Sequence, residues 1–183
     1  MRRLAAALLA LALLGGCDAG PERRAPVARR ERAPRHSGAP DTALARAGLR
    51  RCERVIDGDT VVLDGGERVR LLGVDTPEVH HPKKPEQYFG RRASAYTESR
   101  LEGRAVRLEY DRRRTDRYGR TLAYVYLGDT LFNRELVANG YAEVYRDDRY
   151  RTKQEFLALE REARRALAGM WAHPESVGVA VAR

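Results

Sequence analysis

The chain has 183 residues, room for one domain with extensions. With 43% hydrophobic and 33% charged residues it suits a soluble globular domain, which sets aside a wholly disordered or membrane-buried chain. There are 35 Lys+Arg against 26 Asp+Glu, a formal charge of +9, which points to a polyanionic partner such as nucleic acid or an anionic membrane surface. Only Lys83, Lys84 and Lys153 are lysines. An Arg- and Ala-rich chain also follows from GC-rich coding, so charge alone identifies no partner.

The N-terminus carries an address. Arg2 and Arg3 precede an apolar Leu/Ala run over residues 4–14, too short for the roughly 20 residues a membrane helix needs, and matching the h-region of a signal peptide. "LGGC", ending at Cys17, resembles a bacterial lipobox; the plain alternative is an ordinary cleaved signal with a chance cysteine. We expect a lipoprotein signal peptide over 1–16 and lipid on Cys17, so the protein is exported and lipid-anchored at the bacterial envelope or surface, or secreted if the signal is ordinary. Cys52 then has no disulfide partner and is expected to be a small buried hydrophobe. Residues 17–47 carry Pro21, Pro26, Pro34, Pro40 and many arginines with few large apolar side chains, the composition of a disordered tether.

The folded domain is expected over 48–172, followed by a flexible tail over 173–183. Between Arg46 and His173 there are 26 Lys+Arg and 21 Asp+Glu, a net of only +5, so positive charge must be local to matter. "CERVIDGDTVVLDGGERVRLLGV" alternates β-branched and polar residues around turn signals, with Gly65-Gly66 as a tight hairpin. A helix is predicted over 86–101, with Pro85 at its start, Gly103 after its end, and Phe89, Ala93 and Tyr96 inward. Strands follow over 106–110 and 122–127. A short helix is predicted over 133–138, closed by Asn139-Gly140. The last helix should span 152–168, with Phe156, Leu159, Ala163 and Leu167 facing in, Gly169 as its stop, and Trp171 packed on the core. Short strands followed by helices give an α+β domain built on a small barrel.

Three stretches carry chemistry. "VIDGDT" sets Asp57 and Asp59 two apart; extended, both would share one face and call for a cation, whereas Asp-Gly-Asp is also turn chemistry. "RLLGVDTPE" adds Arg70, Asp75 and Glu78. Hard divalent cations take oxygen ligands, and Asp59, Asp75 and a backbone carbonyl near Thr76 would supply them if the two strands are neighbours. Arg70 and Asp75 are an odd number of residues apart, so the strand must bend near Gly73 for both to serve one site. "RRRTDRYGR", residues 112–120, offers five arginines and a tyrosine on a plausible loop, either to grip phosphate and stack on a base or simply as a charged turn. His80 and His81 lack partners at metal spacing and are expected to be exposed.

Taken together, "VIDGDT … RLLGVDTPE … DRYGR…LAYVY", with the intervening "HPKKPEQYFGRRASAYTE", resemble the staphylococcal (thermonuclease-type) nuclease family over about Arg50 to Trp171. The resemblance implies a five-stranded OB-fold β-barrel with three helices. It implies Ca2+-dependent cleavage of DNA and RNA at the P–O5′ bond, leaving 3′-phosphate ends. It implies Asp59 and Asp75 as Ca2+ ligands through their carboxylates and Thr76 through its carbonyl, with Asp57 close to the metal. Glu78 would orient or deprotonate the attacking water. Arg70 and Arg120 would grip the scissile phosphate. Arg117 and Tyr118 fall at nucleotide-contacting positions. The segment "GYAEVYRDDRYRTKQ" is shorter than the loop of the family's type member, and Tyr145 and Tyr150 are its candidate substrate-stacking tyrosines.

The reading is a lipid-anchored nuclease, monomeric by default. A non-catalytic nucleic-acid-binding OB-fold module is the alternative from another class. The set Arg70, Asp75, Glu78 and Arg120 argues against it, because binding a phosphate chain needs no acids beside it.

Overall fold

The computed structural model describes residue 44, residues 48–79 and residues 85–173. The segment expected as a signal peptide, Cys17, most of the segment expected as a tether, His80 and His81, and the residues beyond His173 lie outside the described residues.

Alternation in "RVIDGDTVVL" produces β1 (Leu49–Asp57) and β2 (Thr60–Leu63), a hairpin closed across Asp57 and Thr60. The register of β1 against β2 slips twice, between Cys52 and Arg54 and between Val55 and Asp57; such irregularities coil a strand enough to close a small barrel. Gly65 and Gly66, both at φ +80°, turn the chain into β3 (Arg68–Leu71), and Leu63 N–H donates to Glu67 O across the turn (2.9 Å). A two-residue break at Leu72-Gly73 then leads to β4 (Val74–Asp75). Next come α1 (Gly90–Leu101), β5 (Ala105–Glu109), β6 (Thr121–Leu127), β7 (Thr130–Leu131), α2 (Phe132–Ala138), β8 (Glu143–Val144), α3 (Lys153–Arg165) and a 3-10 turn at Gly169–Ala172.

Strands β3, β2, β1, β5 and β6 are antiparallel neighbours in that order, and β3 pairs in parallel with β6 (Val69 with Thr121, Leu71 with Ala123) to close a five-stranded mixed barrel. This is the expected α+β barrel with three helices. Val61, Leu63, Val69, Leu71, Val106 and Val125 fill its inside, joined by Phe132 and Leu136 of α2 and Phe156 of α3. Asn133 is wholly buried and ties β6 to the break after β3: its Nδ2 donates to Leu72 O (2.9 Å) and Ala123 O (3.2 Å), and its Oδ1 accepts from Val125 N–H (2.9 Å). Cys52 is the expected small buried hydrophobe; burial pushes its thiol up to about 12.

Two helix boundaries differ from expectation, each for a physical reason. α1 begins at Gly90, not residue 86. Residues before it are spent on the Glu78 backbone: Gln87 N–H donates to Glu78 O (2.9 Å) and Gln87 Oε1 accepts from Glu78 N–H (2.7 Å). A Cβ on Gly90 would stand 2.9 Å from Pro77 O, so this helix start is pressed against the same segment. α3 ends at Arg165 rather than residue 168, in a Schellman motif: Ala168 N–H donates to Ala163 O (2.9 Å) and Leu167 N–H to Arg164 O (3.2 Å). Leu167 therefore sits at φ +51° and is 62% exposed instead of facing in. The chain then turns at Gly169, whose Cα approaches the Gly140 carbonyl so closely that a Cβ would lie 2.3 Å from its oxygen. Met170 N–H donates to that carbonyl (2.9 Å), and Trp171 packs with Ala163 and Phe89 in a smaller satellite of the core.

The loops flanking the barrel mouth are tied together at Asp111. Its Oδ1 accepts from Arg112 N–H (2.7 Å), and its Oδ2 accepts from Tyr124 Oη (2.9 Å) and from Arg151 N–H (2.8 Å) ahead of α3. Desolvation raises this carboxyl's pKa, but these donors and the Arg151 charge outweigh it and hold it below the usual range. A depressed folded-state pKa stabilises above the unfolded carboxylate value of about 3.9, and the benefit is lost as pH falls through the folded value. Asp111→Asn is expected to cost about 1.5–3 kcal/mol at neutral pH. Denaturant midpoints for both proteins should converge as the pH is lowered below 4 or so; a gap that persists in acid would refute the charge-dependent tie.

Candidate functional site

Asp57 ends β1 and Asp59 lies in the tight β1–β2 turn, on either side of Gly58, so the two do not lie along one extended strand. Each is nevertheless buried, at 8% and 6% exposure, and each is held by a different neighbour. Asp57 Oδ1 accepts from Gly58 N–H (2.8 Å) and from Ser94 Oγ on α1 (2.8 Å), while Thr97 Oγ1 of the same helix donates to Gly58 O (2.6 Å). Asp59 Oδ2 accepts from Thr76 N–H (2.9 Å), and Asp59 Oδ1 from Thr60 Oγ1 (3.0 Å). Only glycine fits at 58, because a Cβ there would meet the Thr76 side chain at 2.8 Å. The turn and the segment after β4 are thus pressed into one surface.

The expected bend near Gly73 is present. Gly73 has φ +82°, and the chain leaves the barrel sheet there to pair with β8, Asp75 opposite Glu143. Breaking the strand lets Arg70 and Asp75 meet: Arg70 Nη2 donates to Asp75 Oδ1 (2.6 Å), and Arg70 Nη1 pairs with Asp59 Oδ2. The guanidinium lies between the two carboxylates as their shared counter-cation. Desolvation, with the Asp59 and Asp57 charges, pushes the Asp75 carboxyl above its ordinary value against the pull of Arg70. Desolvation also raises Glu143, with Glu160 and Asp75 adding to it; that strand partner of Asp75 was not singled out from the sequence.

On the far side, residues 112–120 form the expected loop between β5 and β6. Arg120 Nε donates to Asp116 Oδ2 (2.6 Å), and its Nη1 to Thr60 Oγ1 (3.3 Å), the hydroxyl that also bonds Asp59. Tyr118 is 67% exposed, with Arg117 Cζ 4.8 Å and Arg120 Cζ 5.4 Å from its ring centre. Asp57, Asp59, Arg70, Asp75, Thr76 and Arg120 are therefore linked through a continuous set of contacts. Glu78 follows two residues after Thr76 with its backbone fixed by Gln87. The two candidate tyrosines separate cleanly. Tyr145 is 40% exposed, with its N–H on Gly73 O (3.0 Å). Tyr150 is 7% exposed; its Oη donates to Tyr145 O (2.8 Å) and Gly73 O (3.2 Å), and its ring fills the space a Cβ on Gly73 would take. Tyr150 belongs to the core.

Among the described residues no group of three or more His, Cys, Asp or Glu is gathered as a metal cage. What is present is a hard-oxygen set: Asp59 and Asp75 converging on one positive charge, and Thr76, whose buried Oγ1 has no hydrogen-bond partner among the described residues. That set fits a hard divalent cation that keeps part of its water shell.

A family model described as "Staphylococcal nuclease homologue" matches residues 68–173. A thermonuclease of Staphylococcus intermedius is 46% identical over 125 residues, covering 65% of this chain and 73% of that protein. A thermonuclease of Staphylococcus hyicus is 41% identical over 125 residues, covering 66% and 73%. An uncharacterized endonuclease of Escherichia coli O157:H7 is 36% identical over 131 residues, covering 69% and 79%.

Proposed function

Because the chain belongs to the staphylococcal nuclease family, we propose that it hydrolyses DNA and RNA with Ca2+, cutting the P–O5′ bond and leaving 3′-phosphate ends. The chain is a thermonuclease homologue and a phosphodiesterase nuclease; its metal, the bond it cuts and its tolerance of both sugars are our addition. The observation that carries it is the linkage of Asp59, Asp75, Arg70 and Arg120 through shared contacts.

Asp59, Asp75 and Thr76 would hold Ca2+, with Asp57 nearby. When bound it neutralises charge that builds on the phosphoryl oxygens. The remaining work falls to the protein's own groups. Arg70 and Arg120 bind the scissile phosphate from two sides and stabilise the same charge. Glu78 orients the attacking water and accepts its proton as the water oxygen bonds to phosphorus. The P–O5′ bond breaks, and the departing O5′ takes a proton from solvent. Arg117, Tyr118 and Tyr145 contact the nucleotides on either side.

The deciding assay mixes the protein with plasmid and with single-stranded DNA, in Ca2+ or in EDTA. Cleavage in Ca2+ alone is expected. DNA retained but uncut would favour the non-catalytic OB-fold module instead. The tyrosines make a second prediction. Tyr145→Ala is expected to raise KM roughly 5- to 100-fold, the range for losing one base–aromatic stack, with the melting temperature unchanged. Tyr150→Phe should lower the melting temperature and leave KM alone; the reverse pattern would exchange their roles. For the envelope, our reading is a lipid on Cys17, and mass spectrometry of the native N-terminus tests it: an unmodified residue other than Cys17 would refute the anchor.

A further inference from the structure

Asp116 was legible in the sequence only as a turn residue, yet its carboxylate is oriented toward the site. Its side chain is 13% exposed. Oδ1 accepts from the N–H groups of Tyr118 (2.8 Å) and Arg120 (2.9 Å), and Oδ2 accepts from Arg120 Nε (2.6 Å). The backbone of the same five residues closes on itself: Asp116 N–H donates to Arg120 O (3.0 Å) and Gly119 N–H to Asp116 O (3.2 Å), with Gly119 at φ +75°. A turn cap needs only the backbone donors. The bond to Nε does something more, because a guanidinium is planar and two fixed nitrogens fix the plane. Nη1 is the second, on Thr60 Oγ1 (3.3 Å), whose hydroxyl bonds Asp59. Nη2 makes no hydrogen bond among the described residues, so the outer end of the fork is the edge left to a ligand.

We propose that Asp116 is a positioning residue: it holds the Nε edge of Arg120 and the backbone of Tyr118 so that Arg120 presents its Nη end to the scissile phosphate. The inference rests on the reading of Arg120 as a phosphate-binding residue. It also specifies the ligand geometry, an end-on approach of phosphate oxygens to the Nη groups. Asp116 carries the placement and takes no part in proton transfer, and its depressed pKa keeps it an acceptor throughout the working range.

A double-mutant cycle tests this. Asp116→Asn retains an oxygen for the backbone donors but can turn an NH2 group toward Nε–H. It is expected to reduce kcat about 10- to 100-fold, the scale of a misplaced catalytic contact, with little change in KM. In the Arg120→Ala background the same substitution should change kcat less than about twofold, since the group it positions is gone. If Arg120→Ala itself leaves turnover near normal, the phosphate-binding reading falls, and the inference with it. If Arg120→Ala is crippling but Asp116→Asn costs the same factor in both backgrounds, Asp116 is merely structural and the inference alone is overturned. A measurement on the unaltered protein guards against a variant that does not fold. The Arg120 Nε–H should give a discrete, slowly exchanging NMR signal in the free protein, whereas a rapidly exchanging one would show that Asp116 does not hold it.

Discussion

Replacing Glu78 with glutamine is expected to lower turnover by about 10²- to 10⁴-fold, the range for losing a general base, while the melting temperature stays within a degree or two. The two halves of this prediction rest on different atoms. The backbone of residue 78 makes two bonds to Gln87, and both survive the substitution. The proposed chemistry belongs to the carboxylate, which an amide matches in shape but cannot match in accepting a proton. The carboxylate has two roles here, placing the water and accepting its proton. Glutamine can still place a water through its oxygen, so the loss should lie toward the lower end of the range if placement dominates. Single-turnover kinetics with the DNA saturating separates this step from binding. A rate within a few-fold of the original would remove Glu78 from the reaction.

Arg70→Ala should have effects of opposite sign on rate and on metal affinity. Turnover is expected to fall by about 10²- to 10³-fold, as for removal of one preorganised donor to a developing oxyanion. Without nucleic acid, however, Ca2+ affinity should rise. In the free protein the guanidinium already occupies the position of a cation between Asp59 and Asp75. A unit charge about 4 Å away is worth about 1 kcal/mol in water and about 4 kcal/mol near a protein surface. Its removal should therefore tighten metal binding roughly tenfold or more in calorimetric titration. The variant should also melt early in EDTA, because Asp59 is left buried with its charge uncompensated, and recover when Ca2+ is added. Weaker Ca2+ binding in the variant would mean that Arg70 organises the acids rather than competing for them.

Local chemistry was readable and distant pairing was not. Gly65-Gly66, Gly73 and the loop over 112–120 are turn signals written into adjacent residues, and all three take the expected form. The bend at Gly73 was deduced from side-chain parity together with the placing of Arg70 and Asp75 at one phosphate, which the family resemblance implies. The start of α1 was misread because propensity favoured helix from residue 86 while a tertiary bond to Glu78 claimed Gln87. Leu167 was assigned inward by extending a 3.6-residue period past a helix end with no glycine at the left-handed position. Tyr145 and Tyr150 could not be told apart because their difference lies in contact with Gly73, more than seventy residues away in sequence. The Asp116–Arg120–Thr60–Asp59 connection crosses sixty residues in the same way.

The parallel pairing of β3 with β6 has a consequence for how the molecule is made. Strands β3 and β5 cannot find their last neighbour until Thr121–Leu127 has been synthesised, and the carbonyl of Gly140 waits for Met170 to bond it. Without Met170 and Trp171, Phe89 would lose part of its packing and keep its contact with the Tyr141 ring. Topologies dominated by such distant contacts fold slowly, in milliseconds to seconds. The hairpins β1–β2 and β2–β3 can therefore form first, and the barrel closes on them only when β6 arrives.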